Sequence, residues 1–440
     1  MSVNLQGVPG RGATVIACRE PASGRSLGEV AALGAEAVRA QVARARAAQT
    51  VLAGTSLAAR RRLLQRLLAH LVDHADELCE LICRVSGKTR DNAMVGEVFP
   101  VAEKLRWTIA HGERHLRPER VSSGLLVHKR ATIEYQPRGV IAGIVPWNYP
   151  LQNVMNPVVP ALMAGNAVVV KPSEWVAAAS APLQAMFDAV LAAEGLPTDL
   201  VRIVDGYGDT GAALIAAGVD AVVFIGSVDN GRKVALAAAE QLVPAILELG
   251  GKDAMVVCDD AHLEQAVHAA LAGCFINCGQ NCVASERILV EDGIYDRFEA
   301  RVVEMTRALR QGDSLAAAAR GEVVDAGAMV TPLQLKVVDR LVRGAIEQGA
   351  RVLCGGAPLS TAAGDFYPPT ILADVHPGME IMREETFGPV MLLCRVKDDD
   401  AAVALANATR FGLSSTVLSR DHARAGRILR RLEAGMGAAN

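Results

Sequence analysis

At 440 residues the chain exceeds one ordinary core and predicts two or three domains, each large enough to bury a substantial interior. A hydrophobic fraction of 51% with 21% charged residues is globular composition, and a formal net charge of -3 leaves no basic field for nucleic acid or an anionic membrane. Nine cysteines, an odd number without framework spacing, argue for reduced thiols in a cytosol and against a secreted disulfide scaffold.

The start, MSVNLQGVPGRGATVIAC, has no basic stretch followed by an apolar one and predicts no export signal. The longest apolar zone, Val158 to Val170, is interrupted by Pro160, Gly165 and Asn166 and is too short to span a bilayer. The expectation is a cytoplasmic protein with no membrane partner and a small-molecule ligand. Residues 1–33 are turn-rich, with Pro21, Gly24 and Gly28, and predict irregular structure or a small hairpin. Helical spacing then runs from Ala35 to Gln49 and from Leu57 to Arg84, where Leu63, Leu64, Leu67, Leu68 and Leu71 form one stripe. Ser56 is the expected N-cap and Ser86-Gly87-Lys88 the closing turn. A third helix is predicted over about Asn92 to His111.

His70 with His74, and His111 with His115, share helical faces, but no HExxH pattern or third ligand accompanies them. They read as solvated or capping histidines, with no metal predicted. Cys79 and Cys83 read as packing. Alternation from Val121 to Tyr135 predicts a hairpin.

After Gly139 the texture is βαβ. Strands are predicted at Val140 to Val145, Ala167 to Lys171, Leu200 to Val204 and Ala221 to Ile225, with helices at Leu151 to Met163, Ala178 to Glu194 and Gly208 to Ala217. A second α/β unit starts near Gly250-Gly251. Its predicted strands are Ala254 to Cys258, Arg287 to Val290, Ala350 to Cys354, Thr370 to Leu372 and Val390 to Val396. Its helices are Leu263 to Phe275, Tyr295 to Leu309 and Pro332 to Gln348. Such units form mostly parallel sheets that bind ligands at the carboxyl ends of their strands.

Five loops carry chemistry. In FINCGQNCVASER, Phe275 to Arg287, Cys282 follows a Gly-containing turn; a working nucleophile needs an electropositive, partly open setting, whereas a packing cysteine needs none. Gly226-Ser227-Val228-Asp229-Asn230-Gly231 opens a helix after a strand, as a pyrophosphate site or as a Ser-capped helix. Lys171-Pro172-Ser173-Glu174 places a cation and a carboxylate where a ribose fits, or forms a solvated turn. Glu248 ends the apolar run Val243 to Leu247, where desolvation would raise its pKa for deprotonating water, or where it serves structure. Asn148, in Pro146-Trp147-Asn148-Tyr149-Pro150, is an oxyanion donor or a turn former.

Taken in order, PWNYP, KPSE, FIGS with its GxxxxG spacing, ELGGK, GQNC and EETFGPV resemble the signature set of the NAD(P)-dependent aldehyde dehydrogenase superfamily. The similarity spans Pro146 to Val390 and reaches upstream through Ser86-Gly87-Lys88 and downstream to the end. The resemblance implies an α/β fold with two Rossmann-like parallel-sheet domains, for cofactor and catalysis, plus a small β oligomerisation hairpin. The divisions implied are 1–120 with 139–250, 251–440, and 121–138. It implies Cys282 as nucleophile, Glu248 as general base, and Asn148 with the Cys282 backbone N–H as oxyanion donors. Lys171 and Glu174 would meet the adenosine ribose, Gly226 and Ser227 the pyrophosphate, and Glu385 and Phe387 the nicotinamide ribose and ring. Trp147, Ser173, Gly208, Phe224, Gly231 and Leu249 complete the implied cofactor contacts, and Tyr149, Asn153, Asn156 and Ile276 the substrate entrance. The cofactor is NAD, with NADP as the alternative, and no metal is implied.

Members of the family usually continue past the point where this sequence ends, into a Pro-Phe-Gly-Gly stretch and a last strand. The expectation is therefore a fold without its C-terminal closing segment, and a homo-oligomer, dimer or tetramer, where that segment is complete. Two alternatives to aldehyde oxidation stay open at this point: a nucleotide-binding but catalytically silent homologue, and a coenzyme A-acylating dehydrogenase. Cys278, four residues before Cys282, is available for oxidative pairing but reads as packing.

Overall fold

The computed structural model describes residues 14–359 and 363–440. The expectation of no export signal rests largely on residues 1–13, which lie outside the described residues. Strands β1 (Val15–Arg19) and β2 (Ser26–Ala31) pair antiparallel as the small hairpin. Helix α1 (Ala35–Ala53) follows. The stretch predicted as one helix from Leu57 is two, α2 (Leu57–Asp73) and α3 (Ala75–Ser86), because His74 leaves helical geometry at φ -112 and ψ 22. Its Nδ1 lies 2.9 Å from the His70 carbonyl, so the ring works at the helix end. Leu63, Leu64, Leu67 and Leu71 are buried and Leu68 half-buried, so the stripe is core.

The helix expected from Asn92 to His111 is also not continuous. It comprises a short α4 (Arg90–Ala93), a π-helical stretch (Met94–Val98) and α5 (Phe99–Leu116). A π turn inserts one residue into the helical ring, a feature common beside functional sites. Here it carries Glu97 into the interior, fully buried. A one-residue phase shift leaves the apolar periodicity on both sides intact, which is why the sequence pattern conceals it.

Strands β3 (Glu119–Val121) and β4 (Ala131–Ile133) form a short antiparallel hairpin, and its tip leaves Leu125 and Val127 exposed. The first large sheet is wholly parallel in the order β7-β6-β5-β8-β9. Its strands are β5 (Val140–Ile144), β6 (Ala167–Lys171), β7 (Val201–Ile203), β8 (Ala221–Ile225) and β9 (Ala245–Glu248). Helices α6 (Pro150–Met163), α7 (Ser180–Ala193), α8 (Gly208–Ala216) and α9 (Val228–Glu240) connect them. Every residue of β6 is buried, as continuous apolar strands covered on both faces require. Among the described residues one helical segment, Glu174–Ala193, is long and apolar enough to cross a membrane; it is kinked at Val176 and contributes Val176, Leu183, Phe187 and Val190 to the first core.

The second sheet has the order β12-β13-β14-β11-β10-β15-β16, parallel except for β12. Its elements are, in chain order, β10 (Ala254–Val257), α10 (Leu263–Phe275), β11 (Arg287–Glu291), α11 (Asp292–Arg307), α12 (Ser314–Ala318) and α13 (Pro332–Glu347). There follow β12 (Arg351–Cys354), β13 (Thr370–Ala373), β14 (Val390–Val396), α14 (Asp399–Asn407), β15 (Ser414–Leu418), α15 (His422–Leu429) and β16 (Met436–Ala439). Val256, Leu289 and Leu392 pack into one core, while Met255, Ile288 and Met391 pack into another on the opposite face. β9 is only four residues long, and β15 and β16 are rich in Ser or in Ala and Gly, so none carries a strong strand signal, and pairing to a formed neighbour supplies what propensity does not.

Candidate active site

Five of the six sequence motifs, all but Lys171-Pro172-Ser173-Glu174, reach one cleft of about 1470 Å³. One wall comes from loops leaving the carboxyl ends of β5, β8 and β9, with Trp147, Asn148, Gly226, Ser227, Glu248 and Leu249. The other comes from loops entering the amino ends of β11 and β14, with Cys282, Glu385 and Phe387. The carboxyl-end rule thus holds for the first sheet, while the second presents the opposite edge of its strands.

The cysteine loop is bent by three successive residues in left-handed geometry: Asn277 (φ 54), Cys278 (φ 53) and Gly279 (φ 66). For the two non-glycine residues this costs about 1–3 kcal/mol each. Hydrogen bonds hold it: the Asn277 N–H donates to Asn92 Oδ1 (2.6 Å), and its Nδ2 to the carbonyls of Asn148 (3.0 Å) and Gln280 (3.0 Å). At Gly279 the Gly388 carbonyl occupies the space a side chain would need. Cys278 is buried and its thiol donates to the Gly327 carbonyl at 3.2 Å, so it packs.

Cys282 is half-buried on the cleft wall. Burial above all, then the negative charges of Glu385 and Asp253, push its thiol up to about 11, against the opposing pull of the Cys282 and Val283 backbone N–H groups. The electropositive setting expected from the sequence is therefore not what the protein provides without cofactor, because the acidic groups arrive from β14's entry loop and from the start of β10. A raised pKa means little thiolate at neutral pH. Alkylation of Cys282 by iodoacetamide is accordingly expected to rise about tenfold per pH unit from about pH 7 to 9 in the cofactor-free protein. A plateau reached by pH 8, measured by mass spectrometry of the Cys282 peptide, overturns this.

Asn148 is buried in the turn after β5. Its Oδ1 accepts from Asn153 Nδ2 (3.1 Å) and its Nδ2 donates to the Gln280 carbonyl (3.1 Å). These partners settle which way the amide faces and leave one amide hydrogen uncommitted. Glu248 is exposed at the end of β9, so the desolvation expected from its apolar neighbours is absent. β9 is an edge strand with Ala245 and Leu247 turned inward and Ile246 and Glu248 turned out.

Tyr149, Asn153, Asn156 and Ile276 all line the cleft. Two prolines inside α6, Pro157 and Pro160, remove the N–H groups that would bond the Asn153 and Asn156 carbonyls. Lys104 takes one of these orphans: its Nζ donates to the Asn156 carbonyl (3.2 Å) and to Asn156 Oδ1 (2.9 Å). Burial lowers the Lys104 pKa, and the charge of Glu248 opposes that.

The remaining residues divide. Lys171, buried at the end of β6, lies 3.7 Å from Glu174; Ser173 caps the following turn by accepting from the Trp175 N–H (3.4 Å); Gly208 opens α8. These four occupy the loops that follow β6 and β7, outside the cleft wall. Phe224 and Gly231 do not face the cleft either. A Cβ on Gly226 would come 2.7 Å from the Phe224 ring, and one on Gly231 2.6 Å from Leu249, so both positions serve close packing of the turn. Ser227 caps α9 by accepting from the Asn230 N–H (3.4 Å). Trp147 and Phe387 meet edge to face with ring centroids 5.4 Å apart. Glu385 accepts from the Gly251 N–H (3.1 Å), and burial, with Glu286 nearby, pushes it up to about 8.

Sequence reasoning missed the ions beneath these loops. Lys252 pairs with Glu286 in the interior and donates to Thr386 Oγ1 (2.9 Å), while Glu286 accepts from the backbone of Thr386 and Phe387 (2.9 Å each). That holds Phe387 at its positive φ of 50. Lys88 and Glu97 form a second such pair. The signal for Lys252 was its place in ELGGK, and for Glu286 its place in FINCGQNCVASER; Glu97 had none.

Two mostly parallel sheets thus face a cleft that holds a thiol, an amide and a carboxylate, as in an enzyme. The chain belongs to the aldehyde dehydrogenase family, which it matches over residues 8–440. It is 37% identical over 429 residues to 4,4'-diapolycopene aldehyde oxidase of Methylomonas sp, covering 97% of this chain and 78% of that protein. It is 35% identical over 419 residues to an NADP(+) succinate-semialdehyde dehydrogenase of Escherichia coli, covering 94% and 84%. A crystal structure of Mycobacterium tuberculosis aldehyde dehydrogenase complexed with NAD+ superposes with a TM-score of 0.90 at 30% identity, covering 97% of this chain and 87% of that one.

Proposed function

We propose that the chain oxidises an aldehyde to its carboxylate with NAD through a thioester on Cys282. The observation that carries this is the meeting of Cys282, Asn148 and Glu248 on one cleft. Cys282 gives its thiol proton to solvent, its sulfur bonds to the carbonyl carbon, and the uncommitted Asn148 amide hydrogen and the Cys282 N–H hold the oxygen as it gains charge. A nicotinamide held against Trp147, Glu385 and Phe387 would supply the acceptor for the hydride that leaves the tetrahedral carbon as its carbonyl re-forms. Glu248 then takes a proton from water, the resulting hydroxide displaces the sulfur, and Cys282 regains its thiol. In sum, aldehyde, water and oxidised cofactor give carboxylate, reduced cofactor and two protons.

The residues present fit such a cofactor. The carboxylate that pairs with buried Lys171 among the described residues, that of Glu174, is 3.7 Å away and beyond hydrogen-bond distance, and the Ser227-capped end of α9 offers backbone N–H groups to an anion. The Glu174 carboxylate supports NAD over NADP, since it favours ribose hydroxyls and repels a 2′-phosphate. We assign residues 1–120 and 139–250 to cofactor binding, 251–440 to catalysis, and the hairpin within 121–138, with its exposed Leu125 and Val127, to homo-oligomer formation.

The test is a panel of aldehydes assayed with NAD or NADP, with and without coenzyme A. Aldehyde-dependent NADH formation yielding a carboxylate, unaffected by coenzyme A, is the expected result. Nucleotide binding without turnover across the panel, or an acyl-coenzyme A product, overturns it.

A further inference from the structure

Beneath Asn148 lies a buried ion pair that the chemistry above does not use. Lys88 and Glu97 are both fully buried at the side chain, with Nζ to Oε1 at 2.6 Å. A buried pair is a poor device for stability alone, because desolvation offsets much of its attraction. What distinguishes this pair is where its remaining bonds go. Lys88 Nζ also donates to the backbone carbonyl of Asn148 and sits 4.1 Å above the Tyr149 ring. Glu97 Oε2 accepts from the N–H groups of Leu151 (2.7 Å) and Gln152 (3.1 Å), in the first turn of α6. The N-cap residue of α6, Tyr149, makes no capping bond of its own, so Glu97 supplies the missing cap and a negative charge at the positive helix end. The same Asn148 carbonyl takes Asn277 Nδ2, which ties the peptide to the cysteine loop. Only the π turn at Met94–Val98 brings Glu97 to this place.

We propose that Lys88 and Glu97 are positioning residues for the oxyanion site: together they fix the Asn148 peptide and the start of α6, and so aim the Asn148 amide at the carbon attacked by Cys282. This rests on the reading of Asn148 and Cys282 given above. Neither residue touches substrate; both act through Asn148.

The experiment uses Lys88→Met, Glu97→Gln and the double variant, in which no unpaired charge is left inside. Three measurements are made on the full chain: the melting temperature, the rate of Cys282 alkylation by iodoacetamide, and the burst of p-nitrophenolate from p-nitrophenyl acetate. Alkylation displaces iodide at a saturated carbon and develops no oxyanion. In the ester reaction the thiolate bonds to the carbonyl carbon, the oxygen becomes an oxyanion, and the carbon–oxygen bond to nitrophenolate breaks. No cofactor is needed for either.

In the double variant the burst rate is expected to fall about tenfold to a hundredfold, the scale of a displaced oxyanion donor, while alkylation stays within about twofold of wild type. A double variant that regains its melting temperature and acylates at the wild-type rate overturns the inference, as does a parallel fall of burst and alkylation, which marks general collapse. Should the single variants fail to fold, the double variant carries the test. A burst that persists in Cys282→Ala overturns the reading of Cys282 itself, and this inference with it.

Discussion

Cys282→Ala is expected to lower aldehyde-dependent NADH formation by about 10,000-fold or more, the scale on which enzymes feel the loss of a covalent nucleophile. No other thiol in the neighbourhood can take over: Cys274 and Cys278 are buried, and each donates to a backbone carbonyl, those of Ser285 and Gly327. Cys282 alone among the described cysteines lines the cleft. Its sulfur makes one weak hydrogen bond to another side chain among the described residues, 3.9 Å to Asn281 Oδ1, so truncation leaves the loop's bonds through Asn277 and Gln280 intact. Nucleotide affinity, measured by calorimetry, should therefore survive the substitution while turnover does not. Retention of full turnover removes Cys282 from the chemistry.

The second large effect is on deacylation. Glu248→Gln should slow hydrolysis of the acyl enzyme by about 100- to 10,000-fold, the usual range for a positioned general base. Because Glu248 is exposed on an edge strand, the isosteric amide carries little folding cost. Stopped-flow absorbance should show a rapid burst of NADH equal to the enzyme present, followed by a slow steady state, with the acyl group detectable on Cys282 by mass spectrometry. A steady-state rate equal to wild type, with deacylation independently shown to limit it, removes Glu248 from this role. The comparison also separates the two residues. Losing Cys282 eliminates the burst, whereas losing Glu248 preserves it.

Much of this site was legible in the chain itself. Strand periodicity around Val140, Ala221 and Val390 located the strands flanking the key loops, and Trp147, Asn148, Gly226, Ser227, Glu248, Cys282, Glu385 and Phe387 all reach the cleft. Such information is local: an apolar run followed by a turn places a side chain at a sheet edge wherever the sheet sits. The environment of those side chains was not legible. The exposure of Glu248 follows from β9 being an edge strand, and the high thiol pKa of Cys282 follows from burial beside Glu385. The break at His74 and the π turn at Glu97 depend on contacts that no window of periodicity contains.

By itself, then, the sequence determined which residue types stand at which strand ends, because alternation and turn chemistry act over a few residues. Only the tertiary structure decided how each is buried, charged and aimed. Asn148 is oriented by Gln280, 132 positions away, and anchored by Lys88, 60 positions away, and interactions between such distant segments exist only once the sheets have formed.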